Sequence, residues 1–184
     1  MELTSGGAGS TAKAFYVIRY SKVNNAWDQI AETYARTIDP ETLVSDATKA
    51  DPRFGPLSAD PAKGGKPDIL EAESAIQAER ENVFKNPIRN TDKLGLKMPD
   101  FKATGDFPYY DIKTPIPTAF NTMESQANGI AKNIIDDFFN EKILNVGFVI
   151  DLKLLRGAEK TDFITTLNKV IPTDKSNHIF FINK

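Results

Sequence analysis

The sequence predicts an α/β domain in which helices flank a mixed β-sheet, and three observations lead to this prediction. Residues 68–84 and 119–140 repeat apolar side chains at the spacing of amphipathic helices. Residues 145–155 are almost continuously apolar, which is typical of a strand buried on both faces. Residues 109–113 contain the aromatic and β-branched residues that favour strands. Because helices and strands alternate here, we expect the helices to cover the faces of one sheet.

The composition excludes several classes of site. With 184 residues the chain is long enough for one domain with a core of its own. It contains no cysteine, which excludes disulfides, zinc thiolates, iron–sulfur clusters and cysteine nucleophiles. The single histidine, His178, excludes a histidine-pair ribonuclease mechanism, and we expect it to be a polar residue at a strand end. No run approaches about 20 apolar residues and no export signal opens the chain, so we expect no membrane-spanning segment.

Residues 1–66 are predicted to form an N-terminal extension, partly helical, to a core at residues 67–184. The first ten residues are small and polar, which indicates a start without fixed structure. Residues 14–20 favour a strand, whereas residues 26–35 place apolar side chains at helical spacing and predict a helix. Residues 51–67 are rich in proline, glycine and aspartate, so they predict a long loop at the boundary.

A helix is predicted over residues 68–84, with Asp68 as its N-cap. Its apolar face is defined by Ile69, Ile76 and Val83. Three glutamates fall outside this face and are expected in solvent: Glu71, Glu79 and Glu81.

Glu73 falls on the apolar face of this helix. A carboxylate on a packed face needs a partner, because burying it alone is costly. The sequence leaves two kinds of partner open. One is Arg80 or Gln77 on the same helix, and the other is a bound metal ion.

The second half of the chain alternates helices with strands. Residues 86–96 are predicted to be a turn-rich passage. The helix over 119–140 buries one apolar stripe, and Gln126 and Lys132 flank that stripe, where they contact a phosphate or remain in solvent. The remaining predicted elements are a helix at 160–170 and a strand at 177–183.

The stretch from Pro99 to Pro115 carries the residues with the clearest chemistry. Asp111 and Lys113 are two residues apart on a predicted strand, so both side chains leave the same face. Asp100, which follows Pro99, reaches that face from a neighbouring strand. Two carboxylates and an ammonium therefore converge where one hard divalent cation fits.

Such a group of side chains suits phosphodiester hydrolysis. Mg²⁺ and Mn²⁺ take oxygen ligands and keep several waters, so two or three carboxylates are enough to hold them. Zn²⁺, which favours nitrogen and sulfur ligands, suits this composition less well. A lysine beside the metal orients the attacking water or offsets charge that develops on the phosphate.

Pro99, Asp100, Asp111 and Lys113 resemble the signature of the PD-(D/E)xK nuclease superfamily. The predicted order of elements is also similar to the α-β-β-β-α-β order of that superfamily, with one further helix and strand. The resemblance implies a restriction-endonuclease-like core and a divalent cation held by Asp100, Asp111 and the first-helix glutamate, Glu73, with Lys113 assisting the water. Four further polar residues are candidates for contacting the substrate: Gln77, Arg80, Gln126 and Lys132.

A narrower resemblance comes from the runs ESAIQAE at residues 73–79, FKNPIR at 84–89 and DIK at 111–113. These runs are similar to nuclease toxin domains at the C-termini of bacterial polymorphic toxins, including contact-dependent growth inhibition effectors. The resemblance implies a delivered or secreted toxin that acts in the target-cell cytoplasm and is neutralised by a cognate immunity protein. It favours DNA as the substrate, with tRNA second.

Two other interpretations stay open. The formal net charge of −2 is unusual for a protein that binds phosphates and counts against a nuclease, although a local basic patch or a bound metal supplies positive charge. The first alternative is a non-enzymatic interaction module. In such a module the charges of the Asp111-x-Lys113 strand are solvated, and Glu73 pairs with Arg80. A second D-x-K string at residues 151–153 offers another catalytic centre, but it lies on the most apolar predicted strand.

Overall fold

The computed structural model describes residues 40–116 and 122–184 together with four short strands near the N-terminus. These strands are β1 (Lys13–Phe15), β2 (Arg19–Val23), β3 (Ala26–Ile30) and β4 (Arg36–Ile38). β1 pairs with β4 and β2 with β3, both antiparallel. The helix predicted over residues 26–35 is therefore wrong for residues 26–30. The apolar residues of so short a segment are compatible with either a helix or a strand, and the pairing with β2 makes residues 26–30 a strand.

Residues 40–67 form short elements where the sequence predicted a long loop from residue 51. They are α1 (Pro40–Leu43), α2 (Asp46–Lys49), α3 (Phe54–Ser58), β5 (Ala59–Asp60) and β6 (Lys66–Pro67). Gly64 and Gly65, with φ of 67° and 79°, make the left-handed turn between β5 and β6. Leu57 of α3 is buried in the core, so this proline-rich segment is packed and ordered. The division into 1–66 and 67–184 remains a prediction.

The predicted helix with Asp68 as N-cap is present as α4 (Ile69–Arg80). Asp68 Oδ1 accepts a hydrogen bond from Glu71 N at 3.1 Å, which caps the first turn. The helix ends before the predicted residue 84 because Asn82 adopts a left-handed φ of 61° and a strand begins two residues later. Residues on most sides of α4 are buried, since α4 lies between the sheet and the short helices α1 and α3.

Five strands form one sheet, which is mixed, as the sequence predicted. They are β7 (Phe84–Arg89), β8 (Phe101–Gly105), β9 (Tyr109–Lys113), β10 (Val146–Asp151) and β11 (Ile179–Ile182), in this spatial order. The pairs β7–β8 and β8–β9 are antiparallel, and β9–β10 and β10–β11 are parallel. All six residues of β10 are buried, as expected for the apolar run.

β7 was missed because part of it reads as a turn. The register of β7 against β8 shifts between Lys85 and Ile88, and this irregularity contains Asn86, with φ 53°, and Pro87. Proline and a left-handed asparagine are typical of turns, but an irregular strand accommodates both. With β7 included, the chain follows the order helix, three strands, helix, strand, and then one further helix and strand.

Helices cover both faces of the sheet. α5 (Met123–Ile134), continued by a π-helical turn (Ile135–Phe139), and α6 (Gly157–Val170) pack on one face against Phe148 and Ile150 of β10. α4 packs on the other face, against Ile112 and Val149. No helix in the described segments is both long and apolar enough to cross a membrane.

His178 lies directly before β11, next to the strand end at which the sequence placed it, and it is a core residue. It closes a 3₁₀-helix (Thr173–His178) and is buried. Its Nδ1 lies 2.9 Å from the carbonyl oxygen of Val146, and its ring stacks on Phe107 at 4.4 Å between centroids. The His178 imidazole is therefore part of the packed core.

Candidate metal-binding site

Asp100, Asp111 and Lys113 lie together at the junction of β8 and β9. Phe101 pairs with Tyr110 in antiparallel register, so Asp100 lies opposite Asp111, one step further along the two strands. Asp100 Oδ2 accepts a hydrogen bond from Ile112 N at 2.7 Å, which fixes its carboxylate beside β9. The fold thus brings together the three side chains that the sequence placed on neighbouring strands.

Lys113 pairs directly with Asp111. Its Nζ lies 2.5 Å from Asp111 Oδ2, and both side chains leave the same face of β9. Asp111 is buried, with 5% of its surface exposed, whereas the Lys113 side chain is 32% exposed. Lys113 is therefore the residue of this pair that is partly exposed to solvent.

Negative charge exceeds positive charge around Asp100. Burial raises the pKa of Asp100 well above its ordinary value, and the charges of Asp111 and then Glu71 raise it further, against the opposing effect of Lys113. Burial lowers the pKa of Lys113, but the carboxylates of Asp111, Asp100 and Glu71 outweigh that effect and raise it. The group therefore stabilises added positive charge, whether a proton or a cation.

Glu71 is the α4 glutamate whose charge acts on Asp100 and Lys113. The expectation that Glu71 is solvated was wrong, because its side chain is only 21% exposed and its Oε2 lies 2.7 Å from Arg89 Nη1. Burial raises the pKa of Glu71, although the hydrogen bond from Arg89 opposes this. The helical-wheel prediction failed here because α3 and the residues after it cover the first turn of α4 and hold Glu71 away from solvent.

Arg89 ties this glutamate to the surrounding elements. The Arg89 side chain is 7% exposed, and its Nε donates to the carbonyl oxygen of Leu57 in α3. Its guanidinium carbon lies 4.4 Å from the centre of the ring of Phe101, the residue that follows Asp100 in the sequence. Arg89 thus connects α3, α4 and β8 at the edge of the site, and it occupies the arginine position of the FKNPIR run.

A second group of carboxylates surrounds Lys63. Its Nζ lies 2.6 Å from Asp68 Oδ2, 3.0 Å from Asp60 Oδ2 and 3.5 Å from Glu71 Oε1. One oxygen from each carboxylate lies within 4.8 Å of the others, a spacing that suits a cation. Because Glu71 belongs to this group and also acts on Asp100, the two groups are joined through one side chain.

Glu73 is buried on α4, and one of its oxygens, Oε2, has no hydrogen-bond partner among the described residues. The ion pair between Glu73 and Arg80 that the sequence left open is not formed in the described segments. Arg80 Nη1 instead donates to Thr48 Oγ1 of α2 at 3.0 Å. The electrostatic coupling to the motif strands comes from Glu71, one of the glutamates that sequence reasoning had placed in solvent.

The other predicted substrate contacts engage neighbouring groups of the chain. Gln77 Nε2 donates to Glu81 Oε1 at 2.9 Å, and Lys132 forms an exposed ion pair with Asp136. The Gln126 side chain accepts from Ile116 N and donates to Ile116 O, which secures the segment that follows β9. Their assignment as substrate contacts remains a prediction.

The second D-x-K string forms a buried network at the ends of β10 and β11. Asp151 is fully buried and accepts hydrogen bonds from Ser74 Oγ at 2.5 Å and from Asn183 Nδ2 at 2.7 Å. Lys153 Nζ lies 3.3 Å from Asp151 Oδ2, and its side chain is 13% exposed. This network joins α4 to two strands, which is a structural role.

Sequence reasoning missed Glu71, Asp60, Lys63 and Arg89 as parts of the site. The signal for Arg89 was present in the FKNPIR run, but the run was interpreted as a turn. The other three residues lie within eight positions of the N-cap Asp68, where carboxylates are common because they stabilise the N-terminus of a helix. Only the folded structure shows that Glu71 contacts Lys63 and Arg89 and acts on Asp100.

Comparisons with known proteins add one structural likeness. No protein-family model and no curated protein matches the chain. Among solved structures, the chain is similar to one from the CdiA-CT/CdiI toxin and immunity complex from Burkholderia pseudomallei, with 19% identity and a TM-score of 0.38. The match covers 55% of this chain and 66% of that chain, slightly less than two thirds of its length.

Proposed function

We propose that the protein is a metal-dependent nuclease of the PD-(D/E)xK type that hydrolyses phosphodiester bonds. The observation that carries this proposal is the convergence of Asp100, Asp111 and Lys113, with Glu71 acting on the same group. Carboxylates on two neighbouring strands and a partly exposed lysine are the side chains that this chemistry requires.

The residues present fit a divalent cation. Asp100 uses Oδ2 for the Ile112 amide, while its Oδ1 makes no hydrogen bond within the described part of the chain. Asp100, Asp111 and Glu71 would hold Mg²⁺ or Mn²⁺, and the surplus of carboxylates over ammonium groups favours such an ion. When bound, the ion supplies Lewis-acid polarisation of the phosphate and a more acidic water.

The chain's own residues then position the substrate and offset its negative charge. Lys113 is held by Asp111 and its side chain is partly exposed, so it can contact a phosphate or a water beside it. The Ile112 amide holds Asp100 in place, so this carboxylate does not reorient when a cation arrives. Arg89 holds Glu71 in the same way.

We further propose that this nuclease is a toxin domain delivered into a target cell, where it acts in the cytoplasm and is neutralised by an immunity protein. The support is the similarity of residues 73–79, 84–89 and 111–113 to nuclease toxin domains. DNA is the first candidate substrate and tRNA the second, since both present the same phosphodiester to the site.

One experiment tests the activity directly. Plasmid DNA and total RNA are incubated with the protein in Mg²⁺, in Mn²⁺ and in a chelator, with Asp111→Asn as the inactive control. Cleavage by the wild type only when metal is present supports the proposal. Metal-independent cleavage, or equal cleavage by Asp111→Asn, contradicts it.

The non-enzymatic interaction module is the second candidate, and one observation favours it. Lys113 Nζ lies 2.5 Å from Asp111 Oδ2, so each of these two charges has an opposite charge beside it without any bound ion. On this interpretation the strand face is a stable ion pair, and neither metal nor nucleic acid changes the melting temperature of the protein.

A further inference from the structure

A groove lies beside the proposed catalytic residues, on the same side of the sheet. Asp111 and Lys113 of β9 pair in register with Phe148 and Ile150 of β10, which pack beneath α5 and α6. Because residues paired in neighbouring strands share a face, Asp111 and Lys113 leave the sheet on the side that α5 covers. Thr114, which follows Lys113 directly, is one of the residues that line the groove.

The groove is formed between residues 114–116 and one side of α5, and its volume is about 350 Å³. Its apolar surface comes from Pro115, Ile116 and Ile130. The Gln126 side chain accepts a hydrogen bond from Ile116 N at 3.0 Å and donates one to Ile116 O at 2.5 Å, which holds the two walls together. The groove is therefore formed before any ligand binds.

Three residues of α5 line the groove at a spacing of four residues: Ser125, Gly129 and Asn133. All three are exposed, and the side chains of Ser125 and Asn133 make no hydrogen bond to another described residue. Glycine inside a helix is destabilising relative to alanine. A Cβ atom at Gly129 would meet no described atom within 4 Å, so packing in the described part of the chain does not require glycine. The open space at Gly129, between two free hydrogen-bonding side chains, allows a ligand to approach the helix backbone closely.

We propose that this groove holds one unpaired nucleoside next to the phosphate that is cleaved. The inference rests on the proposed nuclease function and specifies its substrate as nucleic acid with an unpaired nucleotide at the cut. None of the described residues that line the groove is charged, so a base and its sugar match the lining better than a phosphate does. The volume lies near the lower end of the range of small-molecule sites, about 300–1,000 Å³, which fits one nucleoside and not a duplex.

The lining offers the two kinds of contact by which proteins recognise an unpaired base. Pro115 and Ile130 present apolar surface to the face of a base, and the Asn133 amide has both a donor and an acceptor for its edge. Because Thr114 follows Lys113, we expect the phosphate of a nucleoside in the groove to lie near the Lys113 ammonium. A base within a duplex makes these contacts only after it leaves its stack, so single strands should be cleaved faster than duplexes.

The test measures kcat/KM for one oligonucleotide of mixed sequence, as DNA and as RNA, each single-stranded and annealed to its complement. Wild type is compared with Gly129→Leu, whose side chain enters the groove, and with Asn128→Leu, which adds the same side chain at an exposed neighbouring position outside the groove. We expect wild type to cleave the single strand about 10-fold faster than the duplex, or more. On the single strand, Gly129→Leu should lose about 10-fold or more, and Asn128→Leu should stay within about twofold of wild type. Thermal melts should show Gly129→Leu folded, since leucine favours a helix more than glycine does.

Equal rates on single strand and duplex overturn the inference, and so does a folded Gly129→Leu that is as active as Asn128→Leu. If Gly129→Leu does not fold, Asn133→Ala replaces it, and sequenced product ends report the base next to the cut. A changed base preference supports the inference, and an unchanged preference overturns it. A wild type that cleaves nothing refutes the proposed nuclease function, and binding of the labelled single strand, followed by fluorescence anisotropy, then tests the groove. Weaker binding by Gly129→Leu than by Asn128→Leu supports the inference, and equal binding overturns it.

Discussion

The ammonium of Lys63 lies within 3.5 Å of Glu71, and the same Glu71 is hydrogen-bonded to Arg89 on its other oxygen. This glutamate is therefore held from two sides before any ligand arrives. Its charge also acts on Asp100 and Lys113, so the carboxylates around Lys63 and the residues of β8 and β9 are linked electrostatically through Glu71. The predictions below separate the contributions of these residues.

Replacing Asp111 should abolish activity without unfolding the protein. Asp111→Asn removes one proposed ligand and the partner of Lys113 but preserves side-chain volume, and Lys113 keeps Asp100 as a neighbouring negative charge. Removing one such electrostatic group lowers the rate of cleavage by a factor of about 10²–10³. Cleavage rates measure the loss of activity, and thermal melts show whether the protein stays folded. The control is Asp92→Asn, which removes a carboxylate from an exposed ion pair. Activity within about twofold of wild type would remove β9 from the catalytic site.

Glu71 and Glu73 give a matched pair, because they lie two residues apart on α4 and the charge of Glu71 raises the pKa of Asp100. In Glu71→Gln we expect the rise in melting temperature on adding Mn²⁺ to shrink sharply, since a metal stabilises a protein only by binding its folded state. Glu73→Gln should keep this rise and its cleavage per folded molecule. The reverse result, with the Mn²⁺ response lost in Glu73→Gln alone, would make Glu73 the ligand that the sequence first indicated.

Asp100 should make the metal-free protein less stable as pH rises. Burial and the charges of Asp111 and Glu71 raise its pKa in the folded state above the value of an unfolded chain. Its contribution to stability is therefore complete below the unfolded pKa and is lost as pH rises through the folded pKa. Chemical denaturation between about pH 5 and about pH 8 should show a slope in wild type that is reduced in Asp100→Asn.

The Mn²⁺-induced rise in melting temperature should follow the opposite trend. Metal binding requires the ionised carboxylate, so the rise should grow with pH over the same window. Parallel slopes in wild type and Asp100→Asn without metal would show that other groups cause the pH dependence.

Asp151 should matter for stability and not for chemistry. Asp151→Asn leaves Lys153 without a charged partner in a nearly buried position, and disrupts bonds to Ser74 and Asn183. Breaking a buried pair in this way costs about 3–5 kcal/mol. Denaturant unfolding measures the loss, and cleavage per folded molecule should stay near that of wild type. A folded, stable Asp151→Asn protein without activity would move the catalytic centre to β10.

The sequence alone was sufficient to predict the elements that have a strong local pattern, whether an apolar run, an apolar stripe or a capping residue. The apolar run of β10, the Asp68 N-cap and the stripe of α5 each predict one structure, because burial and capping leave few alternatives. The same is true of Asp111 and Lys113, since the period of a strand places them on one face.

Other features depend on contacts between distant residues and were not predicted. β7 contains Asn86 and Pro87, which locally favour a turn, and only pairing with β8 makes the segment a strand. Glu71 lies outside the apolar face of α4 on a helical wheel, yet Arg89, 18 residues later, and Lys63 hold it in the site. A helical wheel describes one helix and carries no information on what covers its first turn.

The most direct test of the central claim is the rate of phosphodiester cleavage as Mg²⁺ is added back to protein stripped by a chelator. The comparison is between wild type and Lys113→Met, with Lys102→Met as the control for loss of a lysine. We expect no cleavage without metal, a rate that rises and saturates with Mg²⁺ in wild type and in Lys102→Met, and a loss of about 100-fold or more in Lys113→Met. Absence of cleavage of both DNA and RNA at saturating Mg²⁺ and Mn²⁺, or full activity in Lys113→Met, would contradict the account.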